Sequence, residues 1–163
     1  MNTDRRRRLI TTVKITALTY QNLLGKVTQE DATTFRDSRD ADKGWTALEV
    51  LCHLRDFDEV FLSRAQQIIA EDMPALSAYD HEQMAIDGDY NQQDKDTVLT
   101  AFIDHREQFR DFFKSLTDDD WARAGKHPER EHPFTLEDAL LQVAGHDATH
   151  LEQITRILAE RTP

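Results

Sequence analysis

The two halves of this chain align on one another, without a gap, at a constant offset of 89 residues. Val27-Thr28-Gln29-Glu30-Asp31 falls on Leu116-Thr117-Asp118-Asp119-Asp120, and Trp45-Thr46 falls on Phe134-Thr135. Further on, Leu62 meets Leu151, Ile68 meets Ile157, and Ala70-Glu71 meets Ala159-Glu160. The same offset lays apolar-striped segment on apolar-striped segment and long loop on long loop. A chain with this symmetry reads as a duplicated helical hairpin that closes into an all-α four-helix bundle.

The apolar spacing agrees with that reading, because it is helical almost throughout and no strand-like alternation competes. A helix over roughly 5–27 carries Leu9, Val13, Ala17, Tyr20, Leu24 and Val27 on one face. A second, over about 46–71, carries Val50, Leu54, Phe57, Phe61, Ala65 and Ile68. The third, about 94–116, carries Val98, Phe102, Phe109, Phe112, Phe113 and Leu116; the fourth, about 135–160, carries Leu136, Leu140, Val143, Ile154, Ile157 and Leu158. Thr46 with Glu49 matches a capping box, and Thr135 with Asp138 is a weaker version of one. The polar connection 72–93 contains Pro74 and Gly88, with room for a short helix near 80–86.

At 163 residues the chain fits a single domain spanning residues 1–163, large enough to bury a sizeable core. A net charge of -11 and a mean hydropathy of -0.67 argue against nucleic acid and against an anionic membrane surface as partners, since both call for clustered positive charge. The one basic cluster, Arg5 to Arg8, is followed by threonines and Lys14 and not by the apolar run a secretory signal needs; it reads as a solvated helix start. No window approaches the roughly 18 apolar residues of a membrane span. The single cysteine, Cys52, excludes an internal disulfide and suits a cytoplasmic location.

Seven histidines then need sorting. His146 and His150, four apart, continue the inward stripe of the fourth helix, and His53 lies on that of the second. Side chains four apart share one helix face and can reach a common ion. Three imidazoles are costly to bury without partners. Together they suit a divalent ion such as Zn, Ni or Fe and leave a coordination position open. The stretch His146-Asp147-Ala148-Thr149-His150 differs from the zinc-protease box by Asp for Glu. A protease of the extended type would also need Gly and His where Gln153 and Arg156 stand. A di-iron bundle would need Glu three residues before each histidine, where Val50, Val143 and Asp147 stand. The third ligand to the histidine pair should therefore come from upstream. His105, between Phe102 and Phe109, reaches the same level and is a candidate fourth ligand, proton shuttle or outer partner. Asp56, one turn from His53, is a candidate acceptor for an imidazole N–H. His81, His127 and His132 fall in polar connections, and the loop GKHPEREHP could cover the open end of a pocket. Cys52 reads as a small buried residue, Trp45 and Trp121 as core or loop anchors.

The stretch "GWTALEVLCHL" with His53, followed by "HDATHLEQI", resembles the DinB/YfiT-like metalloenzymes over nearly the whole chain. That resemblance implies an up-down-down-up bundle, often dimeric, with His53, His146 and His150 on a divalent metal. It departs from the family's common "HxGQI" at Glu152. Characterised relatives include S-transferases and isomerases that use low-molecular-weight thiols, so the resemblance implies a metal-dependent, thiol-using transferase acting on a small-molecule electrophile, as a homodimer. The alternatives are a non-enzymatic dimeric module with a structural metal and, third, a metal-dependent hydrolase.

Overall fold

The computed structural model describes residues 3–39 and 44–160. Four long helices carry the fold: α1 (Thr3–Leu24), α3 (Ala47–Ala70), α5 (Lys95–Ser115) and α7 (Leu136–Glu160). Three short ones sit in the connections, α2 (Gln29–Thr34), α4 (His81–Asp87) and α6 (Asp118–Trp121). The long helices match the apolar stripes to within a few residues. The short helix in the 72–93 connection falls where it was expected. The exception is the end of α1, which stops at Leu24, leaving Val27 buried in the loop beyond it.

The starts of the helices follow from their caps. Thr46 and Glu49 form the reciprocal box at α3: the Thr46 N–H donates to Glu49 Oε2 (2.7 Å) and the Glu49 N–H to Thr46 Oγ1 (3.2 Å). Thr135 and Asp138 do the same before α7, at 2.8 and 3.1 Å. Each exchange satisfies two backbone donors the helix would otherwise leave bare. The repeat reappears here: Thr28 caps α2 and Thr117 caps α6. Thr46 bridges to Arg36 much as Thr135 pairs with Ala124 in a two-residue antiparallel ladder, β1 (Ala124–Gly125) with β2 (Phe134–Thr135). That ladder and the helices α2 and α6 are too short to leave a periodic signature, and the sequence did not show them.

Helix directions follow from which residues meet. Arg6 reaches Glu137 and Thr16 reaches Asp147, so α1 and α7 run parallel. Tyr20 packs on Phe102 while Lys95 donates to the Leu24 carbonyl, so α5 opposes α1. His53 meets His146 and Phe61 meets Phe134, so α3 opposes α7. The bundle is up-down-down-up, with α1 and α3 each packed between α5 and α7. The core splits into two apolar clusters, one around Tyr20, Leu51, Phe102 and Ile154, the other around Phe57, Phe61, Phe109 and Leu140. Between them lies a buried ionic layer.

In that layer Arg106 donates from Nε to Asp58 Oδ2 (2.7 Å) and from both Nη atoms to Asp147 (2.5 and 3.0 Å). Thr16 Oγ1 adds a bond to Asp147 Oδ2 (2.7 Å), and the Tyr20 hydroxyl donates to the Asp147 carbonyl (2.6 Å). The guanidinium thus joins α5 to α3 and α7, and Asp147 joins α1 to the same layer. Asp58 keeps one oxygen without a hydrogen-bond partner, and burial pushes its carboxyl up to about 7 against the pull of Arg106. Of the basic run, Arg6 is the half-buried member: it lies 4.6 Å over the Trp121 ring and bonds Asp118 (2.9 Å).

Among the described residues, no helix is long and apolar enough to cross a membrane.

Candidate metal centre

His53 on α3 and His146 and His150 on α7 converge at the seam between these helices. Their Nε2 atoms face one another: His53 to His146 at 2.8 Å and His150 to His146 at 3.1 Å. One nitrogen from each lies within 4.8 Å of the others. Tetrahedral coordination at Zn–N distances of about 2.0–2.1 Å sets ligand nitrogens about 3.3 Å apart, close to the two separations that involve His146. His146 is held by its ring, stacked on Phe57 with centroids 3.6 Å apart and planes within 5°. The Trp45 ring backs His53 at 4.9 Å.

The protonation of the group follows from its surroundings. Burial, reinforced by mutual repulsion, holds His53 down at about 3 and His146 at about 2, and lowers His150 as well. All three are therefore neutral near pH 7, the form that binds a metal. The tautomer of His150 is set by a chain that begins at Arg156. That arginine donates to Asp37 Oδ1 (2.5 Å), and Asp37 Oδ2 accepts from Gln153 Nε2 (2.9 Å). A carboxylate only accepts here, so the Gln153 amide must turn its Oε1 toward His150 Nδ1, at 2.7 Å. His150 Nδ1 then carries the proton and Nε2 presents a bare lone pair to the cluster. Asp37 itself sits in a pinched loop: its N–H donates to the Trp45 carbonyl (2.9 Å), and a Cβ on Gly44 would lie 2.1 Å from its carbonyl oxygen. Only glycine fits there.

On its free side the cluster opens to a cavity of 610 Å³, walled also by Trp45, Phe57, Tyr79, His81, Gln142 and Gln153. His81, at the start of α4, is exposed, with its ring 5.8 Å from that of His53. His81 reads from sequence only as a residue of a polar connection, and Asp37 has no signal at all, because the proximity of both depends on loop paths; Gln153 lies one turn beyond His150 on α7, where helical spacing does mark it as a neighbour.

His105 and Asp56 have other neighbours. His105 Nδ1 faces the Arg55 carbonyl at 3.3 Å and does not line the cavity. Asp56 is held by Arg55 (2.6 and 3.1 Å) and by the Tyr90 hydroxyl. Asp147, the counterpart of a protease base, points to the core and is wholly buried on Arg106. Cys52 is buried and its thiol is pushed up to about 12, chiefly by desolvation. Glu152, the departure from the family motif, is exposed and pairs with Arg156 and Arg39. The loop GKHPEREHP contributes His127, Glu129 and Arg130 to a second cavity beside the first.

Bundle and site together define an all-α protein with a three-histidine cluster on the wall of an open cavity. The chain belongs to the DinB superfamily, whose model matches residues 16–154. It is 28% identical over 116 residues to the "Putative metal-dependent hydrolase YfiT" of Bacillus subtilis (strain 168), a match covering 71% of this chain and 65% of that protein. The solved structure of YfiT from Bacillus subtilis, described as having an unusual four-helix bundle topology, superposes with a TM-score of 0.86 at 23% identity, over 99% of this chain and 89% of that one. A mycothiol-dependent maleylpyruvate isomerase shares the fold with a TM-score of 0.74 at 12% identity; the match covers 94% of this chain and 63% of the isomerase.

Proposed function

We propose that His53, His146 and His150 hold a divalent metal ion and that the protein is a metal-dependent enzyme joining a low-molecular-weight thiol to a small electrophile. One observation carries the reading: three neutral imidazoles present Nε2 atoms to one point, and the remaining side is a 610 Å³ cavity and not a fourth protein ligand. A closed structural site would need that fourth ligand, and His105 does not line the cavity. A bound ion with an open position supplies Lewis acidity and lowers the pKa of a thiol or water in contact with it. Phe57 and Trp45 orient two of the rings and exclude water from behind them. Gln153 holds the proton on His150 Nδ1. His81, exposed on the cavity wall, can take a proton from the incoming nucleophile at a ring nitrogen. The mycothiol dependence of the isomerase that shares this fold supports the thiol; the name of the Bacillus relative supports the hydrolytic variant, in which water replaces the thiol.

The test is metal analysis of the purified protein followed by two parallel screens of the loaded enzyme, thiol plus electrophile, and ester or amide alone. Thiol-dependent turnover supports the transferase; turnover without thiol supports the hydrolase. Stoichiometric metal with an exchangeable fourth position, but no turnover in either screen, would overturn both.

The Gln153 relay makes a separate prediction. Gln153→Leu removes the acceptor that fixes the His150 tautomer but leaves all three rings in place. Metal affinity should fall about 10–100-fold, the usual effect of losing such an outer partner, while the helical circular dichroism is unchanged. Isothermal titration with Zn²⁺ measures it, and an unaltered affinity would mean that ring packing alone orients His150.

A further inference from the structure

The cavity of the three histidines shares Tyr79, His81 and Gln142 with a neighbouring cavity of 320 Å³, whose wall also holds Arg64, His127, Glu129 and Arg130. Arg64 is only 5% exposed, yet none of the described residues forms a carboxylate ion pair with it. Its Nη2 donates to the Ser77 carbonyl (2.5 Å), and the guanidinium lies 5.2 and 5.3 Å over the rings of Phe61 and Tyr79. Arg130 likewise has no carboxylate ion pair among the described residues: it donates to Gln142 Oε1 (2.7 Å) and lies 5.1 Å over Phe134. A guanidinium has five N–H donors in a planar fork that matches a carboxylate. Most of the donors of these two arginines are not taken up by protein acceptors.

A buried cation without a counter-ion is costly unless something else supplies the charge. Glu129 is the one acid on this wall among the described residues, against two guanidiniums. Burial lowers Arg64, with Tyr79 and Glu129 opposing the effect and Arg130 adding to it, and burial, Arg64 and Arg130 lower His127 against Glu129. The local potential is therefore positive in a protein whose net charge is -11, so an anion would be drawn by the cavity and not by the molecule as a whole.

We infer that the smaller cavity is a carboxylate subsite, in which Arg64 and Arg130 grip an acid group of a substrate whose reacting end lies at the three histidines. The placement of the reacting end rests on the proposed metal site; the subsite itself does not. The substrate class becomes a small carboxylic acid, borne by the thiol or by the electrophile.

Succinate and its uncharged counterpart succinamide are titrated into the protein with and without Zn²⁺, followed by amide chemical shifts. Succinate should perturb residues lining both cavities, and succinamide should not. Arg64→Gln should weaken succinate about tenfold or more, the worth of a hydrogen bond to a charged group. Arg130→Gln, at an exposed position that leaves the fold intact, should weaken it as well. His53→Ala should abolish Zn²⁺ binding and leave succinate bound to the metal-free protein. Zinc binding by wild type with succinate affinity unchanged in Arg64→Gln and Arg130→Gln, or succinamide binding as well as succinate, overturns the subsite alone. Succinate binding lost in the arginine variants of a protein that takes up no zinc overturns only the metal reading. Should Arg64→Gln fail to fold, equal affinity in Arg130→Gln and wild type is the result that sinks the inference.

Discussion

Arg106→Met should cost about 3–5 kcal/mol of folding stability, the usual consequence of removing one partner from a buried ionic group. Domains of this size have only about 5–15 kcal/mol in hand, so the variant should sit close to unfolding at room temperature. The reason is geometric: one guanidinium bonds Asp58 and Asp147 at once, and neither carboxylate can reach water. Methionine has the volume to fill the space but leaves two acids facing each other across it. Replacing all three members, Asp58→Leu with Arg106→Met and Asp147→Leu, should recover much of the loss, because no unpaired charge is then buried. Urea unfolding of the single and triple variants measures both effects. If Arg106→Met is as stable as wild type, the layer is hydrated and the four helices are held by their apolar clusters alone.

This layer was the part of the core the sequence concealed. The stripe of α5 runs 102, 106, 109, 113, at spacings of four, three and four, so Arg106 is as regular a member as any phenylalanine. Polarity hides it, and its neighbour His105, the more conspicuous residue in the sequence, is turned by the packing toward the Arg55 carbonyl. The histidine trio was legible for the opposite reason. His146 and His150 lie four apart on one predicted face, His53 lies on another, and imidazole is seldom placed on an apolar stripe without use. Helix positions with a fixed period can be read in this way. Asp37 and His81 cannot, because a loop residue's neighbours depend on a chain path that no period encodes. The duplication was readable because both copies use the same threonine caps, Thr28 with Thr117 and Thr46 with Thr135. Glu152, which departs from the family pattern, is exposed and ion-paired, so that substitution leaves the three rings untouched.

His53→Ala should abolish metal retention, with a fall in affinity exceeding the roughly 100-fold upper range for outer partners, because two imidazoles on one helix cannot enclose an ion from both sides of the seam. The effect should be visible in stability as well as in stoichiometry. A ligand that binds only the folded state adds RT ln(1 + [L]/Kd), about 2.7 kcal/mol at a hundredfold excess over Kd. Wild type should therefore melt higher with Zn²⁺ than without it, and His53→Ala should melt at one temperature in both conditions. The metal-free comparison separates binding from packing. His53 is 6% exposed and backed by Trp45, so its removal leaves a cavity and lowers stability somewhat in any case. What the proposal requires is that the zinc-dependent increment vanish, whatever happens to the baseline. An increment that survives in His53→Ala would place the ion elsewhere; an increment absent from wild type would mean that three imidazoles are packed together without a cation. The second result is physically the harder to sustain. His146 Nε2 faces both His53 Nε2 and the bare lone pair of His150. With no ion, that nitrogen would have to satisfy two neighbours with at most one proton.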